Sequence, residues 1–391
     1  LVNQALNELE SSEYWLNKLK TEHIARITLG KIGDMTFKSE FGAEIANNKL
    51  DTELTLIENG VVQTLEGVDL VEEIRGEMFF SMSSIKDCEI FANFVYLLNQ
   101  DLTIEAGLTA EVSEIKAYSE SINNQKFNFI KPRISANYNF TKDSILSLVL
   151  ERTVDQLDFS DFAASSDTTE QRTISGNNNL KPEHATVFSA IYDWRFSDRG
   201  SINIEAVYEF RKDIQEQIFL PSGNEGLGNA GDAELWYIKT NLSFPIDKLL
   251  KNGLFEVYYA YKGSEFYDPI INNNRVIYNY IPHYLKVDFR QDIPEHGISW
   301  GLQYKNHFSK KRFYVDEVQT NEGNDRISRL FIETTRFFNL KTRLEIKDSN
   351  VALFTQSRYF YLGDRSGQFD GLEVEKLKRS SEVNLSFTGT F

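Results

Sequence analysis

Side-chain polarity alternates residue by residue along most of this chain of 391 residues. Over residues 102–113, apolar side chains at the even positions alternate with polar or small side chains at the odd positions. The same alternation runs through 133–140, 202–211, 236–244 and 298–304. Because successive side chains of a strand point to opposite faces, each stretch predicts a β-strand with one apolar and one polar face.

The carboxyl-terminal segment Ser381–Phe391 repeats this pattern to the last residue. Val383, Leu385 and Phe387 share one face, and polar side chains occupy the other. In an outer-membrane barrel, strands turn the apolar face toward lipid and place aromatic residues at the membrane interfaces. The segment therefore predicts a closing strand of such a barrel.

The lengths of the alternating segments favour a membrane protein. Many run for about ten residues or more, whereas strands of globular proteins usually have about five or six. Strands near ten residues are what a tilted bilayer crossing requires. Aromatic residues, at 13% of the chain, suit a pleated surface. The sequence thus predicts an all-β fold, an antiparallel transmembrane β-barrel with roughly sixteen strands in this chain.

The predicted connections alternate in length. Short polar turns are predicted at Thr141–Asp143, Ser197–Gly200 and Glu295–Gly297. Long polar connections are predicted at 155–182, 221–232, 264–279 and 316–325. Outer-membrane barrels have short turns at one end and longer loops at the other. The pattern agrees with that architecture.

Residues 1–22 have a different pattern. Leu6, Leu9, Leu16 and Leu19 recur at roughly helical spacing among Asn, Glu and Lys, and Trp15 adds to the apolar side. We therefore expect a short helical or loop segment over 1–22. The barrel is expected over 23–391.

Charge and cysteine content exclude some classes of partner. The formal net charge is −16, which argues against nucleic acid because phosphate binding needs a basic surface. The single Cys88 cannot form an intramolecular disulfide, and no Cys/His spacing indicates a zinc site. No cofactor is expected.

No residue set indicates catalysis. The five histidines (His23, His184, His283, His296 and His307) are dispersed and lack partners at strand or helix spacing. The acidic residues Asp155, Asp158, Asp161 and Asp167 lie in one predicted loop, where they could bind calcium or form a solvated surface. The sequence assigns no catalytic, cofactor-binding or metal-binding residue and leaves the ligand-binding residues unknown.

Three further groups of residues suggest contacts with the membrane or with the barrel interior. The basic run Ser309–Arg312 could pair with lipid phosphates or form a solvated strand end. Tyrosines between 258 and 284 suggest an aromatic girdle at a membrane interface, or else a carbohydrate-stacking surface. The polar positions expected to face the barrel interior are Glu105, Glu111, Glu205, Glu209 and Arg211.

Several local motifs resemble the barrel of TonB-dependent outer-membrane receptors. Lys131-Pro132-Arg133 opens a strand, and residues 176–183 read GNNNLKPE. That string is similar to the "G-N-x-x-L-K-P-E" segment that these receptors carry where a long surface loop returns to the barrel. Residues 358–365 (RYFYLGDR) and the terminal Phe391 correspond to a late aromatic strand and the closing strand. The resemblance extends from about residue 24 to the end.

The resemblance implies an architecture larger than this chain. Receptors of this family have a barrel of about 22 strands around a plug, and a short segment before the plug binds TonB. Nothing here resembles the plug or that segment, so we expect the carboxyl-terminal portion of the barrel. The partners implied are the TonB complex through the plug, outer-membrane lipid and lipopolysaccharide, and a small-molecule or oligosaccharide ligand.

The function implied is active import of a scarce ligand across the bacterial outer membrane, not enzymatic catalysis. Siderophores, cobalamin, haem and oligosaccharides are the ligand classes such receptors take, and the sequence does not choose among them. Two alternatives remain open: a passive porin-like channel, and a barrel for surface binding or adhesion.

Overall fold

A computed structural model describes residues 11–23, 37–58, 61–63, 70–76, 89–97, 100–118, 122–162, 165–167, 172–337, 340–348 and 352–389. In this part of the chain there are 24 strands and two short 3₁₀ helices, Phe159–Phe162 and Pro294–His296. No helix among the described residues is long and apolar enough to cross a membrane.

The strands follow in chain order. They are β1 (Ser11–His23), β2 (Phe37–Glu58), β3 (Val61–Gln63), β4 (Leu70–Gly76), β5 (Glu89–Leu97), β6 (Leu102–Tyr118), β7 (Ile122–Thr141), β8 (Ser144–Val154), β9 (Ser165–Asp167), β10 (Arg172–Ile174), β11 (His184–Arg195) and β12 (Ser201–Phe219). They continue with β13 (Glu225–Pro245), β14 (Gly253–Asp268), β15 (Asn273–Arg275), β16 (His283–Ile293), β17 (Ile298–Lys305), β18 (Phe308–Phe313), β19 (Glu317–Gly323), β20 (Arg326–Phe337), β21 (Leu340–Lys347), β22 (Ala352–Tyr361), β23 (Phe369–Arg379) and β24 (Glu382–Thr388).

The strand number agrees with the sequence pattern once short pieces are set aside. Four strands have only three residues: β3, β9, β10 and β15. Four longer runs are each interrupted once, at β17–β18, β19–β20, β21–β22 and β23–β24. Counted as runs, about sixteen strands remain among the described residues, as alternation at the length of a bilayer crossing predicts.

The chain divides into two compact units. The first contains Leu1–Ala136, Leu150–Val187 and Arg211–Asp232, and the second contains Asn137–Val149, Phe188–Phe210 and Ala233–Phe391. In the first unit, β2 pairs antiparallel with β1, β3, β4 and β5, and β6 pairs antiparallel with β4 and β5.

The helical expectation for residues 1–22 is wrong over the part described. Residues Ser11–His23 form strand β1, which pairs with β2 from Ser11↔Ile57 to His23↔Ile45. Residues 1–10 lie outside the described residues. A run of leucines at helical spacing expresses only a weak local preference, and continuous backbone pairing to a long neighbouring strand overrides it.

The second unit contains an antiparallel sheet whose neighbours follow the chain. Strand β14 pairs with β13, β15 and β16; β16 then pairs with β17, β17 with β20, β20 with β21, and β21 with β24. The connections after β13, β16 and β20 are short, whereas those after β14, β17 and β21 are long. In an antiparallel sheet alternate connections lie at opposite ends, so this unit has a turn end and a loop end.

A second sheet of four strands, in the order β18–β19–β22–β23, forms within the loop-end connections. These strands continue β17, β20, β21 and β24 after interruptions of a few residues. Polar side chains bridge the interruptions. Asp325 accepts hydrogen bonds from the His307 amide at 2.5 Å and the Tyr304 hydroxyl at 3.0 Å, and Arg326 donates to Asp348 at 3.0 Å.

The alternation predicted from sequence is present in the strands. In β7, Ile134, Tyr138 and Phe140 are 48%, 41% and 55% exposed, whereas Ser135 is 4% exposed. Leu148 in β8 is also half exposed. In these strands the apolar face is the exposed one and the polar face is the buried one, the reverse of a water-soluble sheet protein.

Two predicted loops are mainly strand. Strand β13 begins at Glu225, which leaves only a short turn in the segment expected as a loop over 221–232. Strand β19 occupies most of 316–325. Polar composition is misleading here because β19 lies between two strands and both of its faces are polar. Part of the 264–279 connection is strand as well, since β14 extends to Asp268.

Candidate functional site

The polar face of the second unit carries a continuous ionic network. Glu333 of β20 lies 2.7 Å from Arg290, 3.2 Å from Arg343 and 3.3 Å from Lys341. Arg290 also contacts Asp292 at 2.9 Å. Cross-strand partners on one face of a sheet lie close enough for such pairs. The network links β16, β20 and β21 on the polar face of the sheet.

An aromatic ring lies within this network. Phe331 has the guanidinium of Arg343 at 4.0 Å from its ring centre, with Arg290 at 5.8 Å and Arg329 at 6.0 Å. A Cβ at Gly301 would collide with this ring and with a backbone carbonyl. Glycine at 301 therefore leaves room for Phe331 to lie flat on the polar face among three cations.

The same unit has a concave polar surface toward its turn end, with a volume of about 750 Å³. Most of its lining side chains are polar and of both charge signs, including Asn139, Asp193, Asn203, Glu256, Lys286 and Asp288, with a minority of apolar ones such as Trp194 and Leu242. Sites for small apolar molecules are mainly lined by hydrophobic residues. This surface instead suits a hydrated ligand or a polar protein segment.

The inward positions predicted from sequence lie on the polar faces, each bonded to its neighbours. Glu111 is 7% exposed and bonds Lys131 at 2.7 Å. Glu205 accepts hydrogen bonds from the Tyr237 hydroxyl at 3.2 Å and from Lys239 at 3.4 Å. Glu209 is 8% exposed. The structure does not gather these residues into one pocket; they belong to ladders along the wall.

The GNNNLKPE segment packs within the first unit. Leu180 and Phe162 are fully buried in a cluster with Leu157, Ile115 and Ala117. The Asn177 side chain donates to the Leu227 carbonyl at 2.8 Å, and its oxygen accepts from the Asn179 amide at 2.9 Å. Such side-chain bonds to nearby backbone hold turns. The segment anchors the long connection between β8 and β11.

The last residues of the segment join it to β12 and β13. Glu183 accepts hydrogen bonds from the Gln215 amide at 2.5 Å and from Arg211 at 3.2 Å. Burial raises the pKa of the Glu183 carboxyl, while these hydrogen bonds oppose the rise. Asn229 bonds the Lys181 amide and carbonyl, each at 2.9 Å. Arg211, predicted to face inward, thus fixes the loop.

The acidic residues of this connection do not converge. Asp155 lies 3.5 Å from Arg211. Asp161 is half-buried, and burial together with the Asp158 charge raises the pKa of its carboxyl to about 6. Among the described residues no group of three or more His, Cys, Asp or Glu side chains could hold a metal ion. The side chain of Asp167 lies outside the description.

The histidines that the structure describes occupy separate elements. His184 begins β11, 3.9 Å from Asp213, and burial lowers the pKa of its imidazole. His283 packs on Tyr261 with ring centres 4.7 Å apart. His296 is in a turn and His307 in a strand interruption. The His23 side chain, Cys88 and Phe391 lie outside the described residues.

The tyrosines of the β14–β16 region divide between environments. Tyr259 and Tyr261 are 38% and 37% exposed on the apolar face. Tyr258 lines the concave polar surface and packs on Tyr284, with ring centres 5.7 Å apart. Tyr280 is buried. The expectation of a single aromatic girdle is wrong for this set, because alternation sends neighbouring tyrosines to opposite faces.

A buried cluster near the loop end was not predicted. Asp268 accepts hydrogen bonds at 2.5 Å from both Arg275 and Arg365, and each of the three side chains is under one-tenth exposed. Burial alone would raise the pKa of the Asp268 carboxyl, but the two arginines outweigh burial and lower it. Both guanidinium groups also lie over the Phe313 ring. No sequence spacing connects these residues.

A family model for outer membrane protein beta-barrels matches residues 88–293, which is more than half of the chain. The chain belongs to the outer membrane protein beta-barrel family. The bacterial outer membrane is therefore its location, and the exposed apolar face of its strands is the face toward lipid. The predictions of fold class and location are confirmed.

Solved structures with the same fold are membrane transporters and receptors. The FrpB iron transporter from Neisseria meningitidis (F3-3 variant) matches with a TM-score of 0.59 at 9% identity, covering 91% of this chain and 53% of that one. The ferric yersiniabactin uptake receptor FyuA from Yersinia pestis matches with a TM-score of 0.55 at 10% identity, covering 92% and 52%. The copper transporter OprC matches with a TM-score of 0.57 at 10% identity, covering 80% and 48%.

These TM-scores show a shared fold, and at 9–10% identity they confirm the resemblance to the receptor barrel at the level of fold alone. The chain spans about half the length of the structures it matches. No curated protein sequence matches it. The family and the related structures describe outer-membrane barrels and transporters rather than enzymes.

Proposed function

We propose that this chain forms the barrel wall and extracellular loops of a TonB-dependent receptor, which actively imports a scarce ligand across the outer membrane. The ligand classes that such a barrel could serve are siderophores, cobalamin, haem and oligosaccharides. TonB would act through a plug domain of the native protein, and lipopolysaccharide would surround the wall.

The observation that supports this proposal most directly is the bonded polar face of the wall. An ionic network around Glu333 and a polar concavity of about 750 Å³ share a sheet whose opposite face is apolar and exposed. Such a face can hold a polar protein segment or a hydrated ligand inside the barrel. The contacts of Leu180 and Glu183 support the proposal further, because they hold the long connection between β8 and β11 in a packed conformation.

The decisive experiment uses the native protein in its own outer membrane. Photo-crosslinking should capture TonB with it, and purified protein should give no stable open channel in planar bilayers. The matched control is a strain that lacks TonB. In that strain the crosslinked product should be absent, and import of candidate ligands from the four classes by the native protein should stop. A stable conductance without TonB capture would favour a passive channel. The absence of both conductance and TonB capture would favour a binding or adhesion barrel.

A further inference from the structure

The basic run Ser309–Arg312 is divided between the two faces of β18. Lys310 pairs with Asn321 and Arg312 with Gln319 on β19, so these four side chains share one face of the four-stranded sheet. Lys311 is exposed, and by alternation it lies on the opposite face with Ser309. The run is therefore not one contiguous basic patch, and its pairing with lipid phosphates stays a prediction.

The face that carries Lys310 and Arg312 is polar in two successive cross-strand rows. The first row is Lys310, Asn321, Gln356 and Glu375, and the second is Arg312, Gln319, Arg358 and Glu373. Phe308 and Phe354 border the first row, with ring centres 6.4 Å apart. We call this set the polar platform.

Positive charge on the platform is compensated at one end only. Arg358 makes a bidentate pair with Glu317, at 2.8 and 3.0 Å, and also reaches Glu373. Within the described residues, neither Lys310 nor Arg312 has a carboxylate within ion-pair distance. Arg312 donates only a long bond of 3.4 Å to Gln319, and its buried Nε has no partner in the structure.

Two half-buried cations without a counter-charge are costly. Removing a charge from water is unfavourable unless an opposite charge or hydrogen bonds compensate it. Burial and the Arg312 charge lower the pKa of the Lys310 amine, and no carboxylate opposes them. The amides of Gln319 and Asn321 lie beside the cations and supply further polar groups. An oxyanion placed between Lys310 and Arg312 would satisfy both.

A dissolved anion fits this location better than a membrane lipid. Leu377 of the edge strand β23 is exposed on the platform side, but three other exposed apolar residues of the sheet, Leu353, Leu372 and Val374, belong to the opposite face by register. A lipid would lie against that face. Gln319 and Glu317, on the platform side, are completely buried.

We propose that Lys310 and Arg312 form an anion-recognition site for a carboxylate or phosphate group of a dissolved ligand. The proposal rests on the transport function proposed above and specifies the ligand as one that carries such an anionic group. Gln319 and Asn321 orient the pair, and Phe308 and Phe354 border the site.

Pyridoxal 5′-phosphate is a suitable probe, applied to the purified native protein. Its aldehyde condenses with the Lys310 amine to form an imine and release water, and borohydride then reduces the carbon–nitrogen double bond. Arg312 would hold the probe's phosphate. Lys310 should be labelled about tenfold faster by this probe than by pyridoxal, because a charge-assisted hydrogen bond contributes about that factor. Peptide mass spectrometry gives the rate at each lysine.

The substitution R312Q should remove the preference for the phosphorylated probe, and inorganic phosphate should protect Lys310 in the unmodified protein. The matched control is K311Q, the neighbouring lysine on the opposite face, which should leave Lys310 labelling unchanged. Equal rates with both probes in the unmodified protein would overturn the site. Protection by lipopolysaccharide but not by phosphate would also overturn it, because the occupant would then be a lipid.

The labelling assay is independent of TonB and of uptake. Normal TonB capture with no preference at Lys310 would reject the anion site alone. A clear preference at Lys310 without TonB capture would reject the transport mechanism while leaving an anion-binding barrel.

Discussion

Arg365 donates a 2.5 Å hydrogen bond to Asp268, which lies 97 positions earlier in the chain, and both side chains are almost fully buried. Arg275 donates to the same carboxylate. One acidic residue thus connects the end of β14, the β15 hairpin and the turn between β22 and β23. Asp268 holds three separate loop-end segments together.

Replacing Asp268 should destabilise the protein more than replacing either arginine. D268N removes the negative charge that two buried guanidinium groups share, and breaking a buried pair typically costs about 3–5 kcal/mol. R365Q leaves the Arg275–Asp268 pair intact and should cost less. Guanidinium unfolding of the native protein in detergent measures both. D247N is the control, because Asp247 pairs with Arg199 on the exposed surface. This substitution should leave the free energy of unfolding unchanged. Equal losses for D268N and R365Q would contradict the shared role.

Substitutions on the two faces of β12 should destabilise the protein by different amounts. I204R places a cation on the face shared with exposed Tyr208 and Phe210, and arginine on a lipid face near mid-bilayer costs about 2–4 kcal/mol. The adjacent E205Q keeps acceptors for Tyr237 and Lys239 on the polar face and should cost under 1 kcal/mol or so. Unfolding in lipid vesicles compares the two variants. Similar costs would mean that the faces are assigned incorrectly.

The buried leucine of the GNNNLKPE segment should be required for loop order. L180A removes a fully buried side chain from the cluster with Phe162 and Leu157, and such truncations cost about 2–5 kcal/mol. Limited proteolysis should then cut the 155–183 connection much faster. K181A is the adjacent control, because the bonds of Lys181 to Asn229 use its backbone. Unchanged cleavage in L180A would show that the cluster does not hold the loop.

The same connection should be more stable in acid. Burial and the Asp158 charge raise the pKa of Asp161 to about 6, so the folded loop binds this proton more tightly than the unfolded chain does. Loop stability should therefore fall as pH rises from about 4 to 6, and the penalty is complete above that range. D161N should stabilise the loop at pH 7.5 and have little effect at pH 4, as measured by its local melting. A D161N effect that is equal at both pH values would refute the assignment.

The wall of this protein could be predicted from local pattern. Ile134 and Ser135 fall on the faces that alternation assigns to them, because the period of two is a property of the backbone itself. The prediction failed where pairing partners decide the outcome. Ser11–His23 became a strand through pairing with β2, and the polar segment 317–323 became one between β18 and β22.

The candidate sites were much less predictable. Lys310 and Lys311 are equivalent as letters in a basic run, and only the register of β18 with β19 shows that one joins the amide row and the other does not. The Glu333 network draws on three strands, and no spacing within β20 reveals Arg290 or Arg343 as its partners.

The amino-acid sequence determined that the chain forms long two-faced strands with an apolar lipid face, since side-chain direction alternates by covalent geometry alone. Only the tertiary structure decided which charges meet. The turn between β22 and β23, far along the chain from β14, brings Arg365 to Asp268. The register of β18 with β19 leaves Lys310 and Arg312 without a neighbouring carboxylate. Coulombic contacts depend on distance in space, which is set by packing, and packing is not readable from separation along the chain.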